Sequence, residues 1–282
     1  MKLLVTGGSG FLGRRTAAHF EKLGWQVLAP SHSQLDITDE AGLQAWFREN
    51  RPDAVIHTAA VSDTGLCQRE PEWSTHINVG GAANVAKACR EVGAKLIFCS
   101  SDQIYSGTPL PGPHKEDEKD FPGIFYGRQK MAAEALCLQF LPETVCLRLS
   151  WMYAKTDIPG QHGHFLAMLK AALEDESKPL TWPIFDRRGL TDVADVVENL
   201  PAALNLPGGI WNFGSANDLT TYETVKQALE ARNLDAALAR LTPNVEAFAG
   251  NPRDISMDLS KLNAAGIFFP TAKDALIRAL ET

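Results

Sequence analysis

The chain has no apolar run that approaches the roughly 20 residues of a membrane-spanning helix, which sets aside a transmembrane protein. It has no block of basic residues. Its 27 Lys and Arg against 34 Asp and Glu leave a formal net charge of -7, which argues against nucleic acid as the main partner. Cysteine is scarce and unpaired in pattern: Cys67, Cys89, Cys99, Cys137 and Cys146 are odd in number, and no two have Cys-x-x-Cys spacing. That excludes a disulfide framework and leaves them as small hydrophobes suited to a reducing cytoplasm. No internal repeat or low-complexity tract appears. No Cys or carboxylate cluster completes a metal site around His162-Gly163-His164, since such sites need three or four convergent ligands. The acidic run from His114 to Asp120 reads as a solvated charged loop. The first strand begins at Lys2, leaving no room for a signal peptide, so the expected location is cytoplasmic.

What is present is ordinary globular material: 282 residues, 45% hydrophobic and 22% charged, enough to bury a substantial core. Strand-like runs at 25–29, 54–57, 95–99 and 144–149 alternate with helical periodicity at 11–23, 40–50, 75–92 and 127–141. Such alternation predicts βαβ units: an α/β fold with a Rossmann-type, doubly wound parallel sheet. The second half is less regular, with helices expected at 164–175, 192–204, 221–232 and 271–281. The domain expectation is a dinucleotide-binding unit over 1–150, rejoined by about 186–206. A smaller C-terminal substrate lobe is built from the remainder of 151–282. Trp73, Trp182 and Trp211 read as packing residues.

The most informative run is Thr6-Gly7-Gly8-Ser9-Gly10-Phe11-Leu12-Gly13, directly after the apolar Leu3-Leu4-Val5. Glycines at 7, 10 and 13, between a strand and a helix start, allow a tight turn and a close backbone approach to a pyrophosphate. The helix end supplies free N–H groups and the positive end of its dipole. Ligands of such sheets bind beyond the carboxyl ends of the strands, which points at Thr6–Gly13, Thr58–Ser62 and Ser100–Tyr105.

Two further pieces carry chemistry. Tyr126 and Lys130 are four apart at a helix start and so share a face. An ammonium beside a phenol stabilises phenolate, so Lys130 is expected to lower the Tyr126 pKa and make it an acid/base. Ser101 follows a central strand, where its hydroxyl can hydrogen-bond a substrate carbonyl while Tyr126 protonates it.

Glycine turn, Ser101 and Tyr-x-x-x-Lys together resemble the extended short-chain dehydrogenase/reductases, and within them the dTDP-4-dehydrorhamnose reductase family. Supporting stretches are Leu35-Asp36-Ile37-Thr38-Asp39, Leu147-Arg148-Leu149-Ser150-Trp151-Met152-Tyr153 and Asn251-Pro252-Arg253. The resemblance implies an NAD(P)H-dependent reduction of a nucleotide-linked 4-keto-6-deoxy sugar. Tyr126 would be the proton donor, Lys130 the ribose ligand, and Ser101 would stand for the family's threonine. It implies cofactor contacts at Gly7, Gly10, Phe11, Leu12, Gly13, Asp36, Ile37, Ala59, Ala60, Tyr126 and Lys130. It implies sugar contacts at Ser62 and Trp151, and Asp102 and Gln103 join them as substrate candidates. Arg187 and Arg188 are candidates because a nucleotide diphosphate needs cationic partners, and Arg253 is another by position. Partners are the nucleotide sugar and a second copy in a homodimer, with neither nucleic acid nor membrane.

The sugar side departs from the family. Gln103 replaces a tyrosine beside the substrate, His57 an asparagine, and Asp63-Thr64-Gly65 the usual residues after Ser62. Arg187-Arg188-Gly189-Leu190-Thr191 lacks a proline before the threonine. Two alternatives stay open: a non-catalytic cofactor-binding subunit similar to the methionine adenosyltransferase β subunit, and a nucleotide-sugar epimerase. The cofactor expectation is NADPH with NADH tolerated. The second strand ends in Pro30-Ser31-His32-Ser33 with no acid to bind ribose hydroxyls, and Arg14 or Arg15 is within chain reach of a 2′-phosphate.

Overall fold

The computed structural model describes residues 1–119, 121–156 and 164–281. Its strands are β1 (Lys2–Thr6), β2 (Gln26–Leu28), β3 (Ala54–His57), β4 (Lys95–Ser101), β5 (Val145–Leu149), β6 (Trp151–Tyr153), β7 (Leu180–Pro183), β8 (Asp186–Arg187), β9 (Leu190–Asp192), β10 (Gly209–Phe213), β11 (Leu241–Asn244) and β12 (Arg253–Asp254). The α-helices are α1 (Phe11–Lys22), α2 (Glu40–Asn50), α3 (Thr64–Arg69), α4 (Pro71–Thr75), α5 (Ala82–Val92), α6 (Phe125–Phe140), α7 (Phe165–Glu174), α8 (Val193–Ala203), α9 (Thr221–Ala231), α10 (Asp235–Arg240), α11 (Ser260–Ala264) and α12 (Ala272–Ala279).

Six strands form one parallel sheet in the order β10-β5-β4-β3-β1-β2. Both faces are covered, and the period of two sorts the side chains between them. Leu3 and Val5 of β1 enter one core with Ile97, Cys99 and Val145, while Leu4 enters the other with Leu96, Phe98 and Cys146. The chain runs from β1 to β2 on one side and then returns to β3 on the other. The crevice between β1 and β3, at their carboxyl ends, is therefore the topological switch point where a ligand fits.

Tyr153, Phe165, Leu169, Leu180, Val225, Leu229 and Leu276 gather in a third core, apart from the two that flank the sheet. The sheet reaches past residue 150. Gly209–Phe213, read from sequence as part of the lobe, pairs with β5 as an edge strand and buries Trp211 and Phe213 against the sheet. Its five residues are too few for their alternation to separate strand from loop.

The helix expected over 75–92 is interrupted. His76–Gly81 adopts a π turn, with Asn78 and Gly81 buried, before α5 begins. Such a turn recurs near functional sites. Here it aims Asn78 inward, where Oδ1 accepts from Val61 N (2.7 Å) and Nδ2 donates to Val61 O (3.0 Å) and Gln129 Oε1 (2.9 Å). The loop after β3 is thereby tied to α6.

The charged loop is only partly solvated. His114 is fully buried, its Nδ1 pairs with Glu118 (2.8 Å), and its Nε2 lies 2.9 Å from Asp254 O. Glu116 accepts from Asn212 N at 2.9 Å. The charges face backbone groups that need partners, which composition does not reveal. Trp73 corrects another expectation: it is 49% exposed on the short α4, while Trp211 is buried and Trp182 packs on the lobe core.

Candidate active site

A cleft of about 910 Å³ opens over the carboxyl ends of β1, β3, β4 and β5. Its floor at one end is the glycine turn. Gly7 has φ +70, a left-handed conformation that favours glycine. A Cβ at Gly13 would lie 2.2 Å from Gly7 O, so that position is closed to any side chain. The first turn of α1 holds no acidic residue, and its N-cap, Gly10, has no side chain to occupy the free N–H groups. A dinucleotide pyrophosphate fits this cradle, because bare backbone and N–H donors face the cleft where a side chain would fill it.

Gly10, Phe11, Leu12, Gly13 and Ala60 line the cleft, as do Ser62, Asp102, Gln103, Trp151 and Arg253, and the trio Ser101, Tyr126 and Lys130. Gly7, Asp36, Ile37 and Ala59 do not. Gly7 packs directly on Ala59, where an added Cβ would sit 2.7 Å from Ala59 N. Asp36 Oδ1 accepts from Thr38 N (2.8 Å) and Thr38 Oγ1 (2.7 Å), which lowers the Asp36 pKa. Ile37 is buried under Gly81. Thr58, in a loop the sequence marks for ligand binding, also lines the cleft, as do Ser150, Met152 and His164, which the sequence pattern did not single out for it. Their position after β3 and β5, or at the start of α7, was the only signal. His164 caps α7 by accepting from Ala167 N (3.2 Å) and packs its ring 5.6 Å from that of Phe11. Its former companion His162 lies outside the described residues. Among the described residues, no group of three or more His, Cys, Asp or Glu gathers around a possible ion.

The trio is buried. Ser101 accepts from Gln103 N (3.2 Å) and donates to Asp102 Oδ1 (3.4 Å). Lys130 Nζ donates to Cys99 O at 2.8 Å and lies 5.7 Å from the Tyr126 ring centroid. The Tyr126 pKa moves opposite to the expected direction. Burial, with the nearby Asp102 charge, pushes the phenol above its ordinary value, although a hydrogen bond with Ser101 pulls the other way. The ammonium is occupied by a backbone carbonyl, and its own pKa is lowered by burial. Desolvation outweighs the distant cation. A phenol held protonated suits a proton donor. The cysteines around it are buried thiols, and burial raises Cys99 and Cys137 to about 12.

The opposite wall is polar. Arg188 NH2 donates to Asp102 Oδ2 (2.9 Å) and Oδ1 (3.3 Å), and its guanidinium lies 5.0 Å from the Trp151 ring centroid. Arg253 Nε donates to Asp186 Oδ1 at 2.8 Å. Arg187, the expected substrate residue, is outside the cleft and pairs with Asp254 at 3.0 Å. Strand parity explains this. β8 runs parallel to β12 with Arg253 opposite Asp186 and Asp254 opposite Arg187. Arg187 therefore points to the face away from Asp186, while Arg188 returns to the cleft side.

A family model described as the RmlD substrate binding domain matches residues 1–282. The chain belongs to this family. Among its relatives, the dTDP-4-dehydrorhamnose reductase of Streptomyces griseus is 31% identical, over 94% of this chain and 88% of its own length. The methionine adenosyltransferase 2 subunit beta of Xenopus laevis is 28% identical, over 94% and 83%. The crystal structure of dTDP-4-dehydrorhamnose reductase from Bacillus anthracis in complex with NADP superposes with a TM-score of 0.85 at 23% identity, covering 98% of this chain and 96% of that one. That likeness establishes the same α/β architecture for this RmlD-family chain.

Proposed function

We propose that the protein is an NADPH-dependent reductase of a nucleotide-linked 4-keto-6-deoxy sugar, with dTDP-4-dehydrorhamnose the first substrate to test and NADH a tolerated donor. The observation that carries this reading is the convergence of Ser101, Tyr126 and Lys130 on one cleft that also contains the glycine turn. The relative from Streptomyces griseus, at 31% identity along most of both chains, supports the same chemistry.

The bound dinucleotide would supply the hydride. The chain's own part begins with Gly10 to Gly13, whose backbone holds the pyrophosphate against the N-terminus of α1. Lys130, on α6 and lining the cleft, holds the ribose hydroxyls with the ammonium donors that the Cys99 carbonyl leaves over. Ser101 donates a hydrogen bond to the ketone oxygen and fixes it beside the Tyr126 hydroxyl. Tyr126 then gives its proton to that oxygen as negative charge develops there. Arg188 and Arg253, each oriented by a buried carboxylate, hold the diphosphate. The preference for NADPH rests on β2, which is followed by Ala29-Pro30-Ser31 with no carboxylate, and on Arg14, which is exposed at the first turn of α1. Arg15 is already committed, donating to Phe11 O (2.8 Å) and Thr156 O (3.0 Å).

The test is NADPH oxidation with dTDP-4-dehydrorhamnose. Tyr126→Phe is expected to lower kcat by about 10³-fold, within the usual span of a lost general acid, while the NADPH Kd stays within about twofold. Retained turnover in that variant removes Tyr126 as the acid. A cofactor-bound regulatory subunit is the second reading, favoured by the methionine adenosyltransferase 2 subunit beta relative. Tight NADPH binding with no turnover on any keto sugar, and a copurifying enzyme, selects it instead.

A further inference from the structure

Gln103 follows Ser101 by two residues, in the 3₁₀ turn Asp102–Tyr105 that ends β4, and its side chain lines the cleft. Its backbone is pinned at both ends of the peptide. The N–H donates to Ser101 Oγ at 3.2 Å, and the carbonyl accepts from Ser106 Oγ at 2.7 Å. Its side-chain amide is pinned as well. Nε2 donates to Asp102 Oδ1 at 3.2 Å, and Asp102 is in turn clasped through both oxygens by Arg188.

A carboxylate engaged by a guanidinium only accepts. Rotating the Gln103 amide by half a turn would set Oε1 against Asp102 Oδ1, two acceptors without a proton between them. The amide therefore has one orientation, with Oε1 turned away from Asp102. Among the described residues Oε1 has no hydrogen-bond partner, and it is not one of the polar atoms sealed from solvent. It is an unspent acceptor on the cleft wall.

An acceptor recognises a donor. The ketone of the substrate is itself an acceptor and is matched by Ser101 and Tyr126, so the free acceptor of Gln103, two residues from Ser101 on the same cleft, is left for a donor close to the ketone. We propose that Gln103 is a specificity-determining residue that accepts a hydrogen bond from the hydroxyl on the ring carbon beside the ketone. The site then selects keto sugars that keep this hydroxyl over those deoxygenated there. Asp102 and Arg188 are positioning residues that hold the amide in register. This deepens the reductase reading and rests on it for the identity of the ring.

The test compares dTDP-rhamnose with its 3-deoxy and 2-deoxy analogues by calorimetry on NADP-loaded protein, with turnover of the matching 4-keto sugars alongside. Wild type is expected to bind the 3-hydroxyl sugar about 10- to 100-fold more tightly than the 3-deoxy sugar, as for a buried acceptor left unmatched, with a smaller loss for the 2-deoxy sugar. Gln103→Met keeps the side-chain length and removes the acceptor. It should bind the 3-hydroxyl and 3-deoxy sugars alike, with unchanged NADPH affinity showing that the fold is intact. Equal binding of the two sugars by wild type overturns the proposal, as does undiminished discrimination in Gln103→Met. Discrimination without turnover sinks the reductase reading and leaves the Gln103 assignment standing. Binding of none of the three sugars overturns both.

Discussion

Arg148 and Arg188 are both buried arginines clasped by a carboxylate, and they use their donors differently. Arg148, on β5 behind the cleft, gives Nε to Glu134 Oε1 (3.1 Å), NH2 to Glu134 Oε2 (2.9 Å) and NH1 to Tyr105 Oη (2.9 Å). Tyr105 passes the chain on to Asn212 Oδ1 at 2.8 Å. Among the described residues Arg188, in the cleft wall, gives only NH2, and only to Asp102, while its Nε is buried without a partner. A guanidinium whose donors are spent on protein is structural, since nothing is left for a ligand. One with donors to spare, beside a cavity, is poised to hold an anion.

The sharpest way to break this contrast is to remove each arginine. Arg148→Met leaves Glu134 buried and unpaired, and is expected to cost about 3–5 kcal/mol in denaturant unfolding. Arg188→Met is expected to cost less stability, because Arg188 bonds Asp102 through one nitrogen and both border the cleft, where water can take its place. Its effect should fall on the KM for the nucleotide sugar, raised about 10- to 100-fold with NADPH affinity unchanged. If Arg188→Met unfolds the protein as readily as Arg148→Met, the distinction between a saturated and an unsaturated pair fails.

A smaller effect separates β3 from the cleft. His57 is buried with Nδ1 2.7 Å from Thr6 Oγ1, and burial, with Lys130 nearby, lowers its pKa to about 3. The unfolded chain takes up a proton near pH 6.5 that the folded protein refuses. Stability is therefore full above pH 6.5 and falls as the pH drops from there toward 3, by about 1.4 kcal/mol per unit at most. His57→Asn should flatten that slope in unfolding curves at pH 7 and pH 5. An unchanged slope means that His57 is not the group responsible.

The smallest expected effect lies at the cofactor end. Arg14→Glu should weaken NADPH about fivefold relative to NADH, the size of a partly screened surface charge contact. An unchanged ratio of the two Kd values removes Arg14 from phosphate recognition.

The glycine turn, the parallel sheet and the Tyr126–Lys130 pair were legible because each depends on local spacing: a positive-φ turn, period-two burial and one helical turn. Arg188 was not separable from Arg187, since which of two neighbours faces the cleft depends on the pairing of β8 with β12, strands distant in sequence. The acidic run around His114 misled for a similar reason. Its partners, Asp254 and Asn212, come from the far end of the chain. Even the Tyr126–Lys130 pair was right in placement and wrong in electrostatics. Spacing places an ammonium one turn from a phenol, but only the tertiary structure shows that burial outweighs it and that the Cys99 carbonyl holds it. The sequence by itself determined the α/β fold and which residue types meet at the switch point, because backbone period and turn chemistry are local. The folded structure alone decided the direction of the Tyr126 shift, the choice of arginine and the direction in which Gln103 faces, because desolvation and hydrogen-bond orientation depend on neighbours brought together from the whole chain.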